Sequence, residues 1–208
     1  MKEYSTLENK LYVAENVIEK SRFIAYVKGI ASVEEAVDFV AQIKKKHFDA
    51  THNCYGYIFD DKAKFSDDGE PQGTAGMPIY ECIKNCKLNR VVVVVTRYFG
   101  GIKLGAGGLV RAYNGTASLG LNGARRVEMR NCSTMDIKVD YSLLKVAQRV
   151  ANDKALMQNV IYDTDVCLQY LVLDENVQNL RDTLVEKTNG QVKITITGQL
   201  LCPYGDKL

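Results

Sequence analysis

The chain has 208 residues, of which 46% are hydrophobic and 25% are charged, and its formal net charge is +2. This composition is typical of a globular protein, argues against disorder, and allows one large domain or two small ones. No apolar run approaches the roughly 18 residues of a membrane span, and the start of the chain lacks the basic and apolar regions of a signal peptide. We therefore expect a soluble, cytoplasmic protein with no membrane partner, whose six cysteines stay reduced.

In the first half of the chain, apolar, β-branched or aromatic runs predict strands at residues 21–27, 53–59 and 91–95. Apolar residues at helical spacing predict a helix at 33–46. A helix started by Pro78 is expected at 77–86, and another is expected at 109–122 after the Gly-rich loop, with a long loop at 60–76. Ser32 and Glu35 are expected to form a capping box, and Gly123 is expected to end the third helix in the left-handed conformation. Val91–Val95 is apolar on both faces, which predicts a strand in the middle of a covered sheet.

From about residue 134 the order of predicted elements changes. A strand at 137–139 and a helix at 141–156 are followed by strands at 160–162 and 166–173, a helix at 176–188 and a strand at 192–197. The order β-α-β-β-α-β is that of the ferredoxin-like split βαβ arrangement. We therefore predict an α+β protein of two domains, residues 1–133 and 134–208, with the boundary near Asn131–Met135.

Charge is unevenly distributed along the chain. Residues 82–127 contain no Asp or Glu but eight basic residues, whereas residues 60–70 carry five acids and two lysines. The acid-free, basic segment points to a negatively charged partner.

The sequence RYFGGIKLGAGGLVR (Arg97–Arg111) directly follows the valine run. Glycines allow backbone amides to approach a ligand, and the start of the next helix adds unpaired N–H groups and a partial positive charge. With three cations, these features predict a site for phosphate or nucleic acid, made of Arg97, Gly100, Gly101, Lys103, Gly105, Gly107, Gly108 and Arg111. The alternative is a tight strand–helix turn with solvated cations. The glycine spacing matches neither a P-loop nor a Rossmann fingerprint, which argues against an NTPase or an NAD enzyme.

The acidic stretch KFSDDGEPQGTAG (Lys64–Gly76) admits several roles. Asp67, Asp68 and Glu70 have the chemistry to hold Mg²⁺, to act as acid and base, or to stabilise turns through their own backbone. They are also candidates to orient the cations of the basic loop. We expect a structural or orienting role, with His52 in the same group, and neither a metal nor a cofactor.

Three further patterns favour structure over chemistry. His52 and Cys54 would share one face of a strand, as a Cys–His nucleophile pair needs, but no acidic or amide partner is identifiable. Cys82 and Cys86 lack the further ligands of a zinc site. Five aromatic residues near the cations are candidates for stacking on bases, although strand tyrosines are more often core residues: Tyr55, Tyr57, Tyr98, Phe99 and Tyr113.

The motifs FSDDGEPQGTAGMPI and VVVVVTRYFGGIKLGAGGLVRAY, with SRFIAYV and THNCYGY upstream, closely resemble those of the YigZ/Impact family over about residues 15–125. The resemblance implies an N-terminal βαβ-type domain similar to elongation factor G domain IV. It implies a C-terminal domain similar to elongation factor G domain V. Eukaryotic Impact regulates translation by competing for the activator of an initiation-factor-2 kinase. The family offers no established catalytic residues to transfer.

Together, the motifs favour a translation-associated regulatory protein that binds RNA or the ribosome through the basic Gly-rich loop, without catalysis. A different class of function is an enzyme that acts on a small phosphorylated metabolite, with the same loop as its phosphate site. A third is a regulator that binds a protein of the translation machinery.

Overall fold

The computed structural model describes residues 2–204. Within that range it is a mixed α/β structure with two sheets and five α-helices. Internal contacts divide the chain into an N-terminal unit, residues 4–127, and a C-terminal unit formed by residue 128 onwards with Glu3. The assignment of residues 1–133 and 134–208 to two translation-factor-like domains stays a prediction.

The N-terminal unit is built on one antiparallel sheet. The short strand β1 Tyr4–Leu7 lies outside this sheet, whose strands are β2 Tyr12–Ile18, β3 Ser21–Gly29, β4 His52–Phe59, β5 Lys62–Ser66 and β6 Val91–Tyr98. The helices of the unit are α1 Val33–Lys46, α2 Gly76–Asn85 and α3 Gly105–Gly123. The sheet order is β2-β3-β6-β4-β5, so the valine-rich strand lies in the middle, as predicted.

Alternation along β6 explains why its first five residues are all apolar. Val91, Val93 and Val95 pack into the core that α2 and α3 close, whereas Val92 and Val94 pack beneath α1 on the other face. All five valines are inaccessible to solvent. The predicted cover on both sides is therefore confirmed, and β6 is a rigid base for the loop that follows it.

Three predictions for this unit were wrong. Strands β1 and β2 were missed, and β5 lies inside the predicted loop. Strands β2 and β5 are the two edges of the sheet, and β5 is almost entirely exposed. Helix α3 begins at Gly105 rather than near residue 109, since low intrinsic helix propensity hid its glycine-rich first turn. Gly123 is the last residue of α3, and extended Ala124 follows it in place of a left-handed cap.

The α1 boundaries are confirmed, and half of its predicted capping box forms. The Ser32 hydroxyl accepts a hydrogen bond from the Glu35 amide at 3.1 Å. The Glu35 carboxylate accepts from the amide of Ala31, one residue before the cap, at 2.7 Å. The Glu35 carboxylate therefore bonds the amide of Ala31 and not, as a full capping box requires, that of the cap residue Ser32.

The C-terminal unit contains a second antiparallel sheet. Its strands are β7 Arg126–Val139, β8 Ala155–Tyr162, β9 Val166–Leu173 and β10 Lys193–Tyr204, in the order β10-β7-β9-β8. The helices α4 Leu144–Asn152 and α5 Asp174–Lys187 complete a β-α-β-β-α-β sequence of elements. The predicted helix 141–156 is shorter than expected, because a 3₁₀ turn precedes it and residues 155–156 begin β8.

The cysteines correct one expectation. Cys132 on β7 and Cys202 on β10 are joined by a disulfide, so not all six cysteines are thiols. The two strands pair antiparallel, with Cys132 opposite Leu200, which brings Cys202 within two residues of that position. Cys54, Cys82, Cys86 and Cys167 are free.

Candidate anion-binding site

A pocket of about 400 Å³ lies beside the start of α3. Lys103 and Arg111, both exposed, line it together with Gly108 of the first helical turn. Glu19 lines it as the one acid, and the remaining wall is largely apolar, formed by Ile18, Ile102, Leu104 and Ala112. Two of the three predicted cations therefore meet in one pocket.

The first turn of α3 begins beside this pocket and has no side-chain cap. Its N-cap residue, Leu104, makes no side-chain capping bond, and its first turn carries no acidic residue. The first N–H groups of a helix have no intrahelical partner, and the helix dipole places a partial positive charge there. Gly101 and Gly105 adopt positive φ values of 85° and 69°, which lets the chain turn sharply into the helix. Backbone and side chains thus favour an anion at the same place.

Gly100 holds the loop against the turn between β2 and β3. That turn consists of Glu19 and Lys20, both with positive φ, since Ile18 pairs directly with Ser21. The Gly100 amide donates to the Ser21 hydroxyl oxygen at 3.1 Å. A Cβ at Gly100 would lie 2.0 Å from the carbonyl carbon of Lys20. Gly100 therefore serves close backbone packing rather than ligand contact.

Arg97 is not among the residues that line the pocket. Its side chain is only 6% exposed, and its Nη1 donates to Oε1 of Glu70 at 2.6 Å. The guanidinium carbon lies 5.4 Å from the ring centroids of both Phe23 and Phe99. Glu70 of the acidic stretch therefore holds the guanidinium group of Arg97 in place.

The buried Glu70 carboxylate also has Tyr113 and His52 as polar neighbours. The Tyr113 hydroxyl donates to Oε1 of Glu70 at 2.7 Å, and Nε2 of His52 lies 3.8 Å from Oε2. Burial, reinforced by the neighbouring Cys54 and Glu70, raises the pKa of Tyr113 far above its usual range. Tyr113 therefore remains a neutral donor to the Glu70 carboxylate.

Asp67 and Asp68 are both engaged with backbone groups. The Asp67 carboxylate accepts hydrogen bonds from the amides of Gly73, Ala75 and Gly76, which supports the start of α2. Burial opposes ionisation of Asp67, but these three amides hold its pKa below the ordinary value. The Asp68 carboxylate accepts from the Asn53 amide and from the Lys44 ammonium group. Both carboxylates order the loop in this structure.

His52 and Cys54 contact the same loop through different groups. Nδ1 of His52 lies 2.8 Å from the carbonyl oxygen of Asp68, which can only accept, so Nδ1 carries the proton. The Cys54 thiol donates to the carbonyl oxygen of Asp67, and burial raises the pKa of Cys54 far above its usual range. Cys54 is therefore a protonated thiol, which is the wrong state for a Cys–His nucleophile pair. Burial also raises the pKa of Cys82 to about 11.

The aromatic candidates separate by exposure. Tyr57 and Tyr113 are core residues, and Tyr55 and Tyr98 are half-buried, whereas Phe99 is 47% exposed. Phe48, which no sequence pattern singled out, is 85% exposed on the segment between α1 and β4. A single aromatic residue after an amphipathic helix carries no periodic signal, so only the structure distinguishes it.

The described part of the chain has neither a cluster of metal-ligating side chains nor a membrane-spanning helix. Between residues 2 and 204, no group of three or more His, Cys, Asp or Glu side chains is arranged to hold a metal ion. Within the same limits, no helix is both long enough and apolar enough to cross a membrane.

Comparison with known proteins places this site in a family. Residues 19–121, from the β2–β3 turn through most of α3, match the Impact N-terminal domain. The IMPACT family member YvyE of Bacillus subtilis is 41% identical over 184 residues, covering 86% of this chain and 85% of that protein. An IMPACT family member of Haemophilus influenzae is 32% identical, covering 88% of this chain and 92% of that protein. The chain belongs to the IMPACT family.

More distant similarity extends to eukaryotes and to a solved structure. Protein IMPACT of Rattus norvegicus is 33% identical over 92 residues, covering 41% of this chain and 29% of that protein. A crystal structure described as a hypothetical protein has 28% sequence identity and a TM-score of 0.60. The match covers 95% of this chain and 98% of the chain in that crystal structure. The match to the rat protein is thus limited to less than half of the chain, whereas the structural match spans nearly all of it.

Proposed function

We propose that this protein is a translation-associated regulatory protein that binds RNA phosphate through the pocket at the start of α3. The observation that carries the proposal is the convergence of Lys103 and Arg111 on the uncapped helix N-terminus in one pocket of about 400 Å³. Unpaired amides, a helix dipole and two cations each favour an anion, and phosphate is the anion best matched to this combination.

The charges around the pocket support a polymeric ligand. Both cations are solvent-exposed, so they can contact successive phosphates of a strand that lies across the pocket mouth. Glu19, the acid among the lining residues, offsets part of their positive charge. These features support RNA as the partner, in the cytoplasm or on the ribosome itself.

The translation link rests on family membership. Relatives named IMPACT include eukaryotic proteins. The family resemblance also implies that both halves are similar to elongation factor G domains, which belong to the same machinery. We further infer that the N-terminal unit is the domain IV-like part and that the C-terminal unit, with its β10-β7-β9-β8 sheet, is the ferredoxin-like domain V-like part. A protein partner in the translation machinery is compatible with this assignment.

The test is binding of a labelled oligouridylate, followed by fluorescence anisotropy across a salt series. Lys103→Ala and Arg111→Ala are each expected to weaken binding. Each is also expected to flatten the plot of log affinity against log salt by about 0.7 per lost phosphate contact, because fewer counterions are released. Lys62→Ala removes the same charge from β5, at the opposite edge of the sheet from β2, and is expected to leave the slope unchanged.

Affinity that does not depend on salt, or equal slopes for all three variants, would contradict RNA binding at this pocket. The volume of the pocket also falls in the range of small-molecule sites, which keeps the metabolite enzyme as a second candidate. A saturable rise in melting temperature with one nucleotide or sugar phosphate, in the absence of RNA binding, would favour that candidate.

A further inference from the structure

We propose that Phe99 is a stacking platform for an unpaired nucleobase, so that the nucleic acid bound beside it is single-stranded. This proposal rests on the proposed function and specifies its ligand. Phe99 is 47% exposed and lies on the loop that leads directly to Ile102 and Lys103 of the pocket. A base attached to a phosphate held at the pocket therefore has a flat apolar ring close by.

One face of the Phe99 ring lies over the guanidinium group of Arg97, which is itself held by an ion pair. The Arg97 guanidinium lies 5.4 Å from the Phe99 centroid and at the same distance from Phe23. Glu70 fixes that guanidinium through a 2.6 Å ion pair, and the buried Nε of Arg97 has no hydrogen-bond partner. A cation beneath an aromatic ring attracts its electron-rich face and orients it. Arg97 is thus a positioning residue that keeps the other face of Phe99 available.

The backbone around Phe99 is equally restrained. The Phe99 amide donates to the Thr51 hydroxyl oxygen at 3.0 Å, and the Thr51 amide donates to the Arg97 carbonyl oxygen at 2.9 Å. A ring on a loop fixed in this way loses little conformational freedom when a base stacks on it. Preorganisation of this kind favours a binding role over incidental exposure.

A second exposed ring and further cations lie at the same end of the sheet. Phe48, 85% exposed, belongs to the segment that Tyr98 contacts by donating to Asp49 at 3.0 Å. Lys45 and Lys46 are exposed in the last turn of α1, immediately before this segment. Alternation of exposed aromatic rings with cations is the arrangement by which proteins bind single strands, with rings for bases and charges for phosphates.

Duplex RNA cannot stack its bases on an exposed ring of this kind. Its base faces are covered by neighbouring base pairs, and only phosphates, hydroxyls and base edges are accessible to protein. A ring that offers a flat face therefore gains nothing from a duplex. We expect single strands to bind more tightly than a duplex of the same sequence.

The test uses the absence of tryptophan from the chain. Phe99→Trp introduces a single indole whose fluorescence reports stacking directly. Oligouridylate is expected to quench it saturably, whereas inorganic polyphosphate is expected to compete for the site without quenching. Phe65→Trp is the matched control, because Phe65 is an exposed ring on β5 that packs against Tyr80, and its fluorescence is expected to stay constant.

Affinity measurements separate stacking from charge. Phe99→Leu is expected to weaken oligouridylate binding by about tenfold while leaving polyphosphate binding unchanged, and Phe99→Tyr is expected to retain both. Salt-dependent RNA binding with no quenching, and with equal affinity for Phe99→Leu, would overturn the stacking platform and leave the phosphate pocket standing. Failure of both RNA and polyphosphate to bind would overturn the proposed function and the platform together.

Discussion

Replacing Glu70 with Gln is expected to lower the free energy of unfolding by about 3–5 kcal/mol. The reason is that Glu70 and Arg97 are both almost fully buried, and the substitution leaves the guanidinium charge without compensation. Gln keeps the shape of the side chain and an oxygen that can accept from Tyr113, so the loss isolates the charge. Urea unfolding of the two proteins measures the difference.

Two controls distinguish this mechanism from a general loss of ion pairs. Glu15→Gln breaks an equally short pair with Arg22, but both side chains are exposed, and little change in stability is expected. The double variant Glu70→Gln/Arg97→Met removes both charges and is expected to recover most of the loss, because no uncompensated charge remains. A single Glu70→Gln variant as stable as the parent protein would show that the buried pair is not the support described for Phe99.

Gly100→Ala is the second substitution with a large expected effect, a loss of about 3 kcal/mol. The added methyl carbon would lie 2.0 and 2.1 Å from the carbonyl carbon and oxygen of Lys20, and 2.4 Å from the amide nitrogen of Ser21. These are backbone atoms of a two-residue turn, so they cannot move aside without opening the β2–β3 connection. Because Glu19 of that turn lines the pocket, weaker anion binding is expected to accompany the loss of stability.

Gly115→Ala on α3 is the matched control for this prediction. Apart from the adjacent residues and the local helix backbone, no atom lies within 4 Å of a Cβ added at Gly115, and alanine favours a helix interior over glycine. This variant is expected to gain about 0.5–1 kcal/mol. Melting curves of the two variants, each against the parent protein, test the pair. An unchanged melting temperature for Gly100→Ala would contradict the close approach of the loop to the turn.

Central, buried elements could be predicted from the sequence because their residues carry strong local patterns. Val91–Val95 is β-branched and apolar on both faces, and it forms the middle strand. Helix α1 combines a Ser cap with apolar residues at helical spacing, and its predicted limits agree with the structure. Edge strand β5 carries solvent-facing lysines, so the same reasoning missed it, and it also missed β2 at the other edge.

The candidate site was only partly predictable, because tertiary placement decides the role of each charged residue. Arg97, Lys103 and Arg111 look alike in the sequence. Arg97, however, still belongs to the central strand β6 and is buried there. Its partner Glu70 comes from a loop 27 residues earlier, and local patterns do not reveal such a pairing. Lys103 and Arg111 follow the strand, where the chain is exposed, and they remain available to a ligand.

Co-sedimentation with ribosomes across a salt series tests most directly whether the α3 pocket holds RNA phosphate. The parent protein is compared with Lys103→Ala/Arg111→Ala and with Lys62→Ala/Lys84→Ala, which removes two exposed lysines from β5 and α2. We predict binding that weakens steeply with salt, is lost in the first double variant and persists in the second. Binding that survives Lys103→Ala/Arg111→Ala unchanged, with the salt dependence of the parent protein, would contradict a phosphate site at the start of α3.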